Sequence, residues 1–133
     1  MTNITEEFGK HAGTVWKTLN TYGPLPETKL KETTRFHEHE FYVAVGWLAR
    51  ENKICKEGSV YRLGETNLTD KIGADAGKVW NLLETQGKVD IHNIKNHLQI
   101  DEKDAYSALG WLARENKIET TRTIPKKYHI KSK

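Results

Sequence analysis

Gly46-Trp47-Leu48-Ala49-Arg50-Glu51-Asn52-Lys53-Ile54 returns, residue for residue, as Gly110-Trp111-Leu112-Ala113-Arg114-Glu115-Asn116-Lys117-Ile118. The copies lie 64 positions apart (110 minus 46), and the same shift brings the flanking sequence into register without a gap. Gly9 meets Gly73, Gly13 meets Gly77, Trp16 meets Trp80, Leu19 meets Leu83, Gly23 meets Gly87 and Tyr42 meets Tyr106. From Ile4 to Ile54, 22 of 51 positions are identical to their partners. Two copies fall short of the three or more that a solenoid needs. The chain therefore reads as two small domains of one kind in tandem, residues 1–65 and 66–133. A unit of this size is marginal alone, since it buries only about 60% of its unfolded surface. Only Gly64 to Asn67 separates the two, so a fixed relative orientation is expected.

Upstream of the repeated stretch, apolar residues recur at helical spacing. Phe8, Ala12, Val15, Trp16 and Leu19 define a first helix, and Ile72, Ala76, Val79, Trp80 and Leu83 its copy. Gly23 and Gly87 stand where a helix ends. The Gly9–Gly13 and Gly73–Gly77 pairs weaken helix propensity, and mark either a late helix start or a face where another backbone comes close. Each unit opens with Asn-x-Thr, at Asn3 and Asn67. The pattern matches glycosylation, but a polar helix cap is the better reading without a secretion signal. A short second helix follows. Pro26 permits its start in the first unit, with Leu30 inward; Asp90 caps it in the second, burying Ile91, Ile94 and Leu98. The third helix is expected over 38–52 and 102–116, with Asp101 as an N-cap.

After each third helix the pattern turns extended. Residues 54–56 and 59–63 flank Glu57-Gly58, a tight-turn signal. Residues 118–121 and 128–131 flank a longer loop from Arg122 to Lys127. Helix, short helix, turn, helix and hairpin make a winged helix-turn-helix. The fold class is α+β and mainly helical: two tandem domains, each of three helices and a two-stranded wing. The Gly-Trp-Leu-Ala-Arg-Glu-Asn-Lys-Ile stretch, with Ala-Gly-x-Val-Trp upstream, resembles a family of small prokaryotic winged helix-turn-helix domains of uncharacterised function. The resemblance covers both units. It implies the fold and carries no activity with it.

At about 100° per residue, Phe41, Val45, Leu48 and Asn52 form one stripe of the third helix, and Ala105, Leu109, Leu112 and Asn116 its copy. That is the expected buried side. Val43, Gly46, Trp47 and Arg50 lie opposite, with Ser107, Gly110, Trp111 and Arg114 equivalent. In helix-turn-helix proteins this outer face enters the major groove. Here the helix begins with Glu38 and Glu40, or Glu102 and Asp104, and such acids repel phosphate. A Trp beside a Gly suits a packed contact, since Trp is an interface anchor. Trp47, Arg50, Trp111 and Arg114 are thus a candidate interaction surface. Three readings stay open for the tryptophans: folding over their own wing or the neighbouring unit, contact with a protein partner, or contact with nucleic acid.

Net charge is +3, unevenly spread. Residues 1–66 carry nine basic and nine acidic side chains, and residues 67–133 twelve and nine. From Glu119 onward there are five basic residues (Arg122, Lys126, Lys127, Lys131 and Lys133) against one acid. Basic wings contact phosphate or the minor groove, so Arg122, Lys126, Lys127 and Lys131 are candidate nucleic-acid contacts, with Lys56 and Arg62 in the first wing.

Other chemistry finds little support. Cys55 is the only cysteine, which excludes an intrachain disulfide and a zinc cluster built on thiolates. His37 and His39 are two apart, and His92 and His97 five apart; neither spacing suits a helical metal pair. There is no phosphate-binding loop, nucleophile elbow or dinucleotide fingerprint. No apolar run approaches the roughly 20 residues that span a bilayer, and the N-terminus shows no signal-peptide pattern, so a cytoplasmic protein is expected. The expectation is a non-enzymatic binding module without cofactor, metal, membrane or small-molecule substrate. Its partner is double-stranded DNA, held by the wings and the basic C-terminus, or alternatively a protein, held by the outer faces of the third helices.

Overall fold

A computed structural model describes residues 2–123 and 127–133. The first repeat comprises β1 (Thr2–Asn3), α1 (Thr5–Tyr22), β2 (Leu25–Pro26), α2 (Glu27–Thr34), α3 (Glu38–Arg50), β3 (Ile54–Glu57) and β4 (Val60–Leu63). The second comprises a π-helical turn (Thr69–Gly73) that runs into α4 (Ala74–Gln86), then β5 (Lys88–Asp90), α5 (Ile91–Leu98), α6 (Glu102–Arg114), β6 (Ile118–Thr123) and β7 (Lys127–Ser132). The architecture is two tandem winged helix-turn-helix domains.

Local chemistry explains the helix ends. Gly23 and Gly87 adopt φ of +79° and +78°, and their N–H groups donate back to Leu19 and Leu83 at 2.8 and 2.7 Å. Asp90 Oδ1 accepts from the Asn93 N–H at 2.8 Å, and Asn93 Oδ1 accepts from the Asp90 N–H at 3.0 Å, a reciprocal cap on α5. Asp101 holds the corresponding position before α6 without a side-chain cap bond. The third helices stop sooner than the periodicity implies. Asn52 and Asn116 turn left-handed, with φ of 60° and 61°. Asn enters that region more readily than most residues, and here the Asn52 Oδ1 accepts from the Thr66 N–H at 2.9 Å. Lys53 and Lys117 then donate to Leu48 and Leu112 at 3.0 and 3.1 Å. Asn52 and Asn116 are exposed, not the end of the buried stripe; the rest of it, Phe41, Val45, Leu48, Ala105, Leu109 and Leu112, is buried as expected.

The wings are larger than two strands. In the first repeat the sheet order is β2-β4-β3; in the second it is β1-β6-β7-β5, and all the pairs are antiparallel. The segment after the first helix adds a third strand to each. The second hairpin pairs further than expected: Arg122 lies opposite Tyr128 and Thr123 opposite Lys127, so Arg122 belongs to a strand rather than a loop.

β1 belongs to the first repeat in sequence but to the second in space. Thr2 and Asn3 pair with Arg122 and Thr121, and the Ile4 N–H donates to Thr120 O at 2.9 Å. Ile4 and Phe8, 1% and 2% exposed, complete the core around Val79, Ile94, Leu109 and Ile130. Leu68 and Ile72 reciprocate, packing with Val15, Leu30, Phe41 and Leu48. The opening Asn of each repeat serves this exchange. Asn3 Oδ1 accepts from the Thr5 N–H at 3.0 Å at the start of α1. Asn67 instead accepts from the Lys56 N–H at 3.0 Å and donates to Lys56 O at 2.7 Å, covering β3. The two cores are thus built across residues 65 and 66.

Candidate nucleic-acid interface and the covered third helices

α3 and α6 lie side by side, running the same way. Their first turns meet around a small cleft lined by Glu38, His39, Tyr42, Glu102, Lys103 and Tyr106. Their last turns are joined twice: Arg50 Nε donates to Glu115 Oε2 at 3.0 Å, and Arg114 Nε to Glu51 Oε2 at 2.9 Å. Between these ends the backbones touch. A Cβ on Gly46 would stand 1.8 Å from Ser107 O, and one on Gly110 2.0 Å from Val43 O. Only glycine permits that approach.

The tryptophans fold inward. A Cβ on Gly9 would lie 3.0 Å from the Trp47 ring, and one on Gly73 3.4 Å from the Trp111 ring. Gly9 and Gly73 therefore seat rings rather than a backbone. The Arg50 guanidinium sits 5.7 Å from the centre of Trp111. Trp47, Arg50, Trp111 and Arg114, expected as an outward interaction surface, are thus engaged within the chain. While the two helices stay packed, the centre of this face at Gly46 and Gly110 is closed to a major groove or a separate protein, whereas the two tryptophans are half-buried and Arg50 and Arg114 stay exposed.

The expected phosphate contacts sit on the wings. Lys131 and Lys88 are opposite each other across β7 and β5, and Lys131 Nζ is 3.4 Å from Glu119 Oε2. Arg122 lies in register with buried Tyr128 and half-buried itself. Side chains alternate across a strand, so Arg122 and Lys131 occupy opposite faces of the sheet. Lys127 opens β7; Lys126 lies outside the described residues. In the first wing, Arg62 donates to Glu57 Oε1 from Nε at 3.1 Å and from the terminal nitrogen at 2.8 Å. The Glu57 hydrogen bonds raise the guanidinium pKa further. Lys56 Nζ rests 5.4 Å above the Tyr61 ring and 4.0 Å from Glu27 Oε1. Lys56 and Arg62 are therefore already paired with acids, as Lys131 is with Glu119.

Two clusters escaped the sequence reading. Glu27 accepts from the Tyr42 hydroxyl at 2.8 Å and the Tyr61 hydroxyl at 3.0 Å, with Lys31 at 3.4 Å. Burial pushes its carboxyl up, but the two hydroxyls and Lys31 outweigh that and hold it below the ordinary carboxylate range. Burial first, then Glu27, raises both tyrosines. Tyr106, at the position of Tyr42 in the second repeat, is pushed up to about 12 mainly by burial. There Ile91 replaces Glu27, so no periodic signal marks the clamp. The second cluster is Lys71 between Asp75 at 3.1 Å and Asp104 at 3.5 Å, with Asp75 buried. Its counterpart in the first repeat is His11 against Glu40 at 3.6 Å.

Among the described residues, no group of three or more His, Cys, Asp or Glu could hold a metal ion, and no helix is long and apolar enough to cross a membrane. Buried Cys55 lies in β3.

No curated protein sequence matches the chain. A solved structure, the mRNA-binding domain of elongation factor SelB from E. coli in complex with SECIS RNA, resembles it at 17% identity and a TM-score of 0.38, covering 92% of this chain and 98% of that one. The winged helix-turn-helix domain model DUF2582 matches twice, over residues 1–63 and 67–130. With nearly its whole length accounted for by those two matches and by the tandem winged fold, the chain belongs to the winged helix-turn-helix domain family DUF2582.

Proposed function

We propose that this tandem module is a non-enzymatic nucleic-acid binder that holds double-stranded DNA by its phosphates, through the second wing and the basic C-terminus. The observation that carries the reading is the burial of the third helices' outer faces against each other. Base-edge readout by those helices would require parting them. Glu38, Glu40, Glu102 and Asp104 crowd their first turns and would oppose phosphate there. Of the basic residues from 119 onward, Arg122 lies in β6 and Lys127 and Lys131 in β7; Arg122, Lys126, Lys127 and Lys131 are the contacts, with Lys56 and Arg62 as further ones. The protein-partner alternative used the outer faces of the third helices, whose centre at Gly46 and Gly110 is covered while Arg50 and Arg114 stay exposed.

The test is duplex binding followed by anisotropy across a salt titration. Changing Arg122, Lys127 and Lys131 together to Ala should weaken binding to every sequence. It should also flatten the log–log salt slope by up to about 3. Absence of duplex binding at low salt, or indifference to the triple change, overturns the reading.

A further inference from the structure

Gly13 and Gly77 lie inside α1 and α4, exposed, and a Cβ on either would meet nothing within 4 Å. Glycine weakens a helix interior, yet here no neighbour within the chain requires it. Beside Gly13 the surface opens into a cleft of about 280 Å³ between α1 and α3, with Trp16, Trp47, Glu51 and Lys53 in its walls. Trp16 is 39% exposed, unusual for a large apolar side chain in this molecule. Lys10 and Lys17 lie about 60° and 40° round α1 from Gly13, on the flank away from Trp16 and outside the lining of the cleft. Glu51 is already committed to Arg114 at 2.9 Å and Lys53 at 3.6 Å.

The cleft therefore combines a flat aromatic wall, an empty notch beside it and Lys53 in its lining, with Lys10 and Lys17 on the far flank of Gly13. The second repeat lacks this set. Ala74 and Asn81 replace Lys10 and Lys17, and the Lys117 ammonium covers the Trp80 ring at 5.5 Å. Proteins that bind single strands pair stacking rings with a basic track in this way.

We propose that the cleft is a stacking site for an unpaired nucleobase. The base lies against Trp16 over Gly13, and Lys10, Lys17 and Lys53 hold the neighbouring phosphates of a single strand. A flat ring needs the notch, whereas an acidic peptide would need only the lysines. The site shares a ligand class with the wing reading but none of its residues.

The experiment measures anisotropy of short labelled oligothymidine and oligouridine on the full chain at low salt. Trp16→Ala should weaken both by about 5- to 150-fold, the range for losing one stacked base. Gly13→Leu should do the same with a melting temperature no lower than wild type, because its side chain enters open space and Leu favours a helix interior over Gly. Changing Lys10, Lys17 and Lys53 together to Gln should flatten the salt slope by about 2. The Trp16 dependence should persist in the chain carrying Arg122→Ala, Lys127→Ala and Lys131→Ala. Oligonucleotide affinity unchanged in both Trp16→Ala and Gly13→Leu overturns the proposal and leaves the wing reading standing. So does Trp16-dependent binding of an oligoglutamate peptide by a chain that binds neither oligonucleotide. If one oligonucleotide binds in a Trp16-dependent way and the other does not, the site stands, and oligodeoxyuridine, which differs from oligouridine in the sugar alone, reads the sugar preference.

Discussion

Gly46 packs against the backbone of Ser107 so closely that a Cβ would come within 1.8 Å of its carbonyl oxygen. The two lie 61 residues apart (107 minus 46), one in each repeat. This contact decides which face of the fold is available to a partner.

Gly46→Ala should force the third helices apart. Overpacking a tight contact costs about 1–3 kcal/mol, and here the obstacle is backbone, which cannot rotate away. Gly110→Ala should behave alike, since its Cβ would meet Val43 O at 2.0 Å. Urea denaturation measures both. A change below about 0.5 kcal/mol, the range of an ordinary surface substitution, would contradict the packing.

Leu48→Ala and Leu112→Ala remove side chains that are each 2% exposed, in separate cores. Each should cost about 2–5 kcal/mol in the same assay. Losses well under 1 kcal/mol at both would mean that the stripe faces elsewhere.

Phe8→Ala tests the exchange between repeats. Phe8 belongs to the first repeat, but its ring lies 6.2 Å from that of Tyr128. The substitution should cost about 3–5 kcal/mol. In native-state hydrogen exchange, protection should fall first at β6 and β7, before β3 and β4. The reverse order would place Phe8 in its own repeat's core.

Glu27 predicts a pH dependence. Its folded pKa lies below the ordinary value of 4.5. A depressed carboxyl contributes stability above its unfolded pKa and loses it as pH falls through the folded one. Wild type should therefore lose stability on acidification from about pH 5 downward more steeply than Glu27→Gln does. Parallel acid profiles for the two proteins would remove Glu27 from the balance.

Much of the fold is legible in residue order. A 64-residue shift exposes the duplication; helical spacing places Val15, Leu48, Val79 and Leu112 inside; Gly23, Gly87 and Asp90 mark helix ends. These features act within a few residues of themselves, so local sequence suffices to read them. Leu25–Pro26 and Lys88–Asp90 are too short to show a strand period, and only their pairing to β4 and β7 makes them strands. Gly beside Trp announces a close contact on each third helix, but its partner is another copy of the same signal. Likewise Ile4 and Phe8 fit the apolar pattern of either core, because the cores descend from one pattern. Which repeat they enter, and whether the outer faces of α3 and α6 meet solvent or each other, is decided by three-dimensional proximity. A repeated sequence presents the same surface twice, and only packing chooses between pairing those surfaces together and offering them to a partner.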